Sequence, residues 1–175
     1  MNLHERTRRT ALVCCHCLRN IAFYRAGWRQ GEIRVLEQFW IGANGAFLDV
    51  AVLEWCKVFG EWGGKHHWHR VILDRGGFES ELFQDLRMSK GQFEDYVKSI
   101  RTYRDKFVAH LDHEPVMHIP RMRVARRSAA FLFNFLQNDP RLRTFLVADA
   151  PGSAKALYDL TYRLACAEYK RRTAP

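Results

Sequence analysis

Between Glu32 and Phe59 the apolar residues Leu36, Phe39, Trp40, Ala43, Phe47, Val50, Ala51, Leu53 and Val58 recur at intervals of threes and fours. That period belongs to a helix that buries one side, because side chains three or four apart share a face, whereas a strand repeats every second residue. Nearly every other segment carries it too, so the sequence predicts an all-α fold. A first helix spans about Leu3 to Ala26, with Leu12, Cys15, Ile21 and Phe23 among its apolar positions and Gly27 as its stop. The long second helix has room for a kink at Gly45, and Gly60 to Lys65 reads as a loop. A short helix follows, bounded by a break at Gly76-Gly77, and Phe78 to Leu86 forms another. Ser89 and Gln92 make a capping box that opens a helix with Phe93, Val97, Ile100, Phe107 and Leu111 on one face. Pro120 suits the first turn of a helix through about Gln137, and Ser153 caps a last one to about Lys170.

At 175 residues, 47% of them apolar, residues 1–175 are expected to form a single domain with a sizeable core. A net charge of +9, from 28 Lys and Arg against 19 Asp and Glu, favours polyanionic partners such as RNA or an acidic protein surface. Five unevenly spaced cysteines make a poor disulfide framework and fit a reducing, cytoplasmic setting. No secretion signal follows the basic N-terminus, and no apolar run reaches the roughly 18 residues of a membrane helix, so no membrane partner is expected.

The chemistry concentrates in Tyr103-Arg104-Asp105-Lys106-Phe107-Val108-Ala109-His110-Leu111-Asp112. An arginine is a permanent cation that grips phosphate, and a histidine exchanges protons near neutral pH. Together they suffice to cleave RNA without a metal or other cofactor. The plain structural alternative is an Arg104–carboxylate ion pair beside a helix-terminal histidine favoured by the helix dipole. On an α-helix, six residues put His110 about 120° around the axis from Arg104, so one helix aims them at adjacent faces.

The string Arg-Asp-Lys-x-x-Ala-His-x-Asp, with the earlier Glu54-Trp55-Cys56-Lys57-Val58-Phe59-Gly60, resembles the HEPN superfamily (higher eukaryotes and prokaryotes nucleotide-binding), and its abortive-infection U-type branch in particular. The likeness runs in order of elements over roughly residues 35 to 140, with the specificity in the ten-residue string. It implies a helical bundle of about five to seven helices and a homodimer whose two motif helices meet across a two-fold axis. It also implies a metal-independent endoribonuclease, a toxin or phage-defence effector with an antitoxin protein as a further partner. In that reading His110 moves the proton, Arg104 holds the phosphate, and Asp105 orients the arginine or the partner's histidine, with Asp112 and His113 as outer candidates. Arg101 and Lys106 add phosphate contacts. Two other classes stay open: a fold that binds RNA or nucleotides without cutting, and an interaction module or antitoxin-like regulator.

Three further clusters carry ligating or basic side chains. Cys14-Cys15-His16-Cys17 holds zinc-ligand types, but neighbours on a helix diverge and no matching pair lies at finger spacing, so buried cysteines acting as small hydrophobes are the better reading. In Lys65-His66-His67-Trp68-His69-Arg70, His66 and His69 share one turn and Trp68 offers a stacking face, against the plainer reading of a solvated loop anchored by a tryptophan. In the stretch from Arg121 to Arg127, Arg123, Arg126 and Arg127 share a helix face that could track a phosphate backbone. Phosphate-loop, GxSxG, HExxH and Rossmann patterns are lacking from the sequence.

Overall fold

Helix α1, Leu3–Ala26, is the element on which α2, α5 and α6 pack. The computed structural model describes residues 1–109, 118–146 and 150–173. Asn2 opens α1 by accepting the Glu5 N–H at 2.8 Å, which satisfies one of the four amides that a helix start leaves unpaired. Cys14, Cys17, Leu18, Ile21 and Ala22 are fully buried along it, at the spacing of one helical face. Around α1 lie α2, Gln38–Trp55; α5, Met122–Asn138; and α6, Ala154–Thr173. Helices α3, Arg75–Leu86, and α4, Lys90–Tyr103, complete six α-helices among the described residues. The fold is all-α, as the period of the sequence requires.

The structure departs from the sequence reading at three joints. Residues before α2 form a two-stranded antiparallel hairpin, β1 (Trp28–Arg29) and β2 (Glu32–Ile33), instead of helix. Gln30 and Gly31 both adopt positive φ, 52° and 89°, as a tight two-residue hairpin turn demands. Gly76-Gly77 lies in the first turn of α3 and does not break it. Asp74 accepts the Gly77 N–H at 3.0 Å, and a Cβ on Gly77 would sit 2.4 Å from the Asp74 carboxylate, so glycine there permits the cap. Pro120 precedes the cap residue Arg121 and stands outside the first turn of α5. The capping box on α4 forms as read, and Ser153 accepts the Ala156 N–H at 3.1 Å.

Trp55, fully buried at the end of α2, ties three helices together. Its indole N–H donates to Ser128 Oγ on α5 at 2.8 Å, and its ring stacks on Phe59 and meets Tyr96 of α4 edge to face, with centroids 5.2 and 5.4 Å away. Tyr96 in turn donates to the Arg121 carbonyl at 3.0 Å and accepts the Ala125 N–H at 3.1 Å, pinning the start of α5 to α4. Removing the acceptor leaves a buried indole N–H without a partner. Ser128→Ala is therefore expected to lower stability by about 1–3 kcal/mol. Calorimetry should show Tm falling about 2–4 °C per kcal/mol in a chain of this size; an unchanged Tm would contradict the assignment.

Candidate functional site

Two core helices end in π-helical turns, and these turns meet. One, Cys56–Gly60, continues α2, and its wider register is closed by Glu61 N–H donating to the Cys56 carbonyl at 2.9 Å. The other, Arg104–Ala109, continues α4. Such turns are uncommon and concentrate at functional sites. They carry the end of the earlier string, Cys56–Gly60, and the described part of the later one, Arg104–Ala109, and the bond from Arg104 to Glu61 links them across 43 positions. The angle from Arg104 to His110 falls outside the described residues, which end the turn at Ala109. His110, Asp112 and His113 lie outside the described residues.

Arg104 joins the two turns. Its Nη1 donates to Glu61 Oε1 at 2.7 Å, while Nε and Nη2 donate to Asp105 Oδ1 at 2.8 and 2.7 Å. The side chain is only 15% exposed. Burial works against its charge, but the Asp105 and Glu61 carboxylates outweigh that and hold its pKa above the ordinary value, so it stays cationic. Just before it, Tyr103 donates to Asp49 Oδ1 on α2 at 3.1 Å. Burial raises the Asp49 carboxyl pKa and the Tyr103 bond opposes the rise. Arg104 is thus a preoriented fork facing two carboxylates. Glu61 could not be foreseen as its partner, since nothing in sequence links positions 43 residues apart.

Arg101 is exposed one turn before Arg104 and lines a cavity of about 240 Å³ with Trp62, His67 and Lys90. Lys106 is partly buried. The basic stretch divides. Arg121 and Arg123 are exposed at the start of α5, and Arg127 pairs with Asp85 at 3.2 Å. Arg126 turns away, its guanidinium 4.9 Å above the Tyr158 ring and its Nε buried without a partner.

The histidine loop is more buried than its polarity suggests. His67 Nε2 lies 3.2 Å from the Phe59 carbonyl, and His67 Nδ1 lies 2.7 Å from His69 Nδ1. A carbonyl only accepts, so His67 carries its proton on Nε2 and accepts from His69 Nδ1–H, which leaves the lone pair of His69 on Nε2. Trp68 is the anchor, buried and stacked on Phe78; the exposed aromatic is Trp62, stacked on His69 with centroids 4.2 Å apart. The cysteines of α1 are core side chains, and burial lifts the Cys15 thiol to about 11 and Cys56 to about 12. Among the described residues, no group of three or more His, Cys, Asp or Glu is placed to hold a metal ion, and no helix is long and apolar enough to cross a membrane. No family model, curated protein or solved structure matches the chain.

Burial, and then His69, hold His67 down at about 4. The unfolded chain protonates near the ordinary 6.5, so the unfolded state binds more protons between those values. Stability from the neutral His67 is full above pH 6.5 and is lost as pH falls towards 4, by about 3 kcal/mol in all. Denaturant melts across this window should show the loss in the wild type and a smaller one in His67→Gln; the same pH dependence in both would refute the buried neutral imidazole.

Proposed function

We propose that this chain is a metal-independent endoribonuclease of HEPN type, acting as a toxin or phage-defence effector. The observation that carries the reading is Arg104, held as an oriented, permanently charged fork at a π-helical turn by Asp105 and by Glu61, the residue that follows the earlier string. An RNA 2′-hydroxyl attacks the adjacent phosphorus and gives its proton to His110 acting as base. The P–O5′ bond breaks, a protonated histidine supplies the leaving oxygen with a proton, and the products are a 2′,3′-cyclic phosphate and a 5′-hydroxyl. Arg104 stabilises the charge that builds on the phosphoryl oxygens, and Asp105 with Glu61 fixes its plane. Arg101 and Lys106 assist in holding the strand.

A homodimer completes the site in this reading. Its support is an apolar flank: Leu36 and, on α2, Phe39, Val50 and Leu53 remain exposed along a helix that runs into the Glu61-bearing turn. An antitoxin protein is the second partner, and the setting is cytoplasmic.

One observation favours a second reading. Arg104 already gives three of its nitrogens to carboxylates, as it would in a module that binds RNA or nucleotides without cutting, or that regulates a protein partner. Total RNA incubated with purified protein and chelator separates the two. Wild type should cleave, His110→Ala should be slower by about 10²–10⁴-fold, and Arg104→Ala by about 10²–10³-fold, all three remaining folded. Intact RNA that is still bound by the wild type replaces catalysis with recognition; neither cleavage nor binding leaves the interaction module.

A further inference from the structure

A second cleft, lined in part by Tyr96, gathers arginines from two separate segments. It has a volume of about 610 Å³, and Arg87, Arg121, Arg123 and Arg127 line it together with Gln92 and Asp95. Arg127 is already engaged by Asp85. The guanidinium groups of Arg87, Arg121 and Arg123 make no ion pair or hydrogen bond among the described residues. Asp95 is the one carboxylate in the lining, so the cleft keeps an excess of positive charge. Arg87, Arg121 and Arg123, held near one another, repel, and that repulsion is relieved by an anion with several charges.

Arg87 adds an independent sign. It closes α3 in the left-handed conformation, φ 56° and ψ 49°, with its N–H on the Gln84 carbonyl at 3.2 Å and the next amide, of Met88, on the Phe83 carbonyl at 3.1 Å. Helices of this ending favour glycine at that position, because a Cβ costs about 1–2 kcal/mol there. Here the position carries a long cationic side chain that lines the cleft. Across from it the first turn of α5 is fixed by the two Tyr96 hydrogen bonds, so Arg121 and Arg123 rise from a rigid base.

We infer that this cleft, with Arg87, Arg121 and Arg123 as its contacts, docks the phosphodiester backbone of single-stranded RNA away from the Arg104 centre. It rests on the reading of RNA as the substrate and extends it: the strand is held at two places. Gln92 offers an amide for a sugar hydroxyl or phosphate oxygen, and Arg127 stays on Asp85 as part of the wall. Arg87 was not visible as a member in sequence, where it stands more than thirty residues from the α5 arginines.

The test uses fluorescence anisotropy with a labelled 2′-O-methyl RNA oligonucleotide, which lacks the attacking hydroxyl and so is bound without being cut, across a range of salt. Arg87→Gly should keep or raise Tm, since glycine suits the left-handed position, yet weaken binding and flatten the slope of log affinity against log salt by about 0.7. Arg121→Gln with Arg123→Gln should flatten it by about 1.4. Affinity and slope unchanged in both variants, or no RNA binding by the wild type, overturns the cleft. Competition with inorganic triphosphate identifies the source of the phosphate: displacement at concentrations far below those of the oligonucleotide would overturn an RNA strand in favour of a free polyphosphate. Cleavage is scored separately. A chain that binds through these arginines and cuts no RNA overturns the ribonuclease reading while the cleft stands; a chain whose cutting and KM ignore both variants overturns the cleft alone.

Discussion

The buried indole of Trp55 holds α2, α4 and α5 to one another. Its hydrogen bond to Ser128 sets the distance between α2 and α5, and its ring faces position α4 through Tyr96 and the π-helical turn through Phe59. Both sites depend on that junction. Glu61 leaves the turn that Phe59 anchors and reaches Arg104, while Tyr96 fixes the start of α5 and with it Arg121 and Arg123. A neutral hydrogen bond in a dry core is worth only about 1 kcal/mol net, but an orphaned donor there costs more, which makes the arrangement specific as well as stable.

The electrostatics follow from the same geometry. Arg104 is mostly buried, and a buried cation requires compensation, which Glu61 and Asp105 supply from the exposed side. A phosphate entering the site must take over bonds that these carboxylates now hold, so binding there is an exchange of anions and is expected to be modest for a single phosphate. The second cluster, at Arg87, Arg121 and Arg123, shares its lining with the Asp95 carboxylate but forms no ion pair with it among the described residues. The two together would divide the work, chemistry at the neutralised centre and affinity at the charged cleft.

Helix positions were legible because burial of one face leaves a period in the sequence, and the caps at Ser89 and Ser153 because their side chains act on amides three residues away. The hairpin at Gln30-Gly31 was hidden by its two-residue strands, too short to show alternation. Gly76-Gly77 misled because the Asp74 cap depends on the missing Cβ of Gly77, a contact that no propensity records. At the site, Arg104 and Asp105 were marked by the motif, but Glu61, Trp62 and Arg87 come from loops and a helix end whose partners are set only by tertiary packing. The histidine loop looked solvated by composition, and its burial comes from the Phe59 carbonyl that the π-helical turn presents to His67.

The most direct test of the Arg104 centre is the NMR signal of its Nε–H, which the Asp105 carboxylate holds at 2.8 Å. The wild-type resonance should move progressively as the 2′-O-methyl RNA oligonucleotide is added, because a phosphate replaces a carboxylate partner. A signal that stays in place at saturating RNA would contradict phosphate binding at Arg104 and leave the arginine as part of the scaffold.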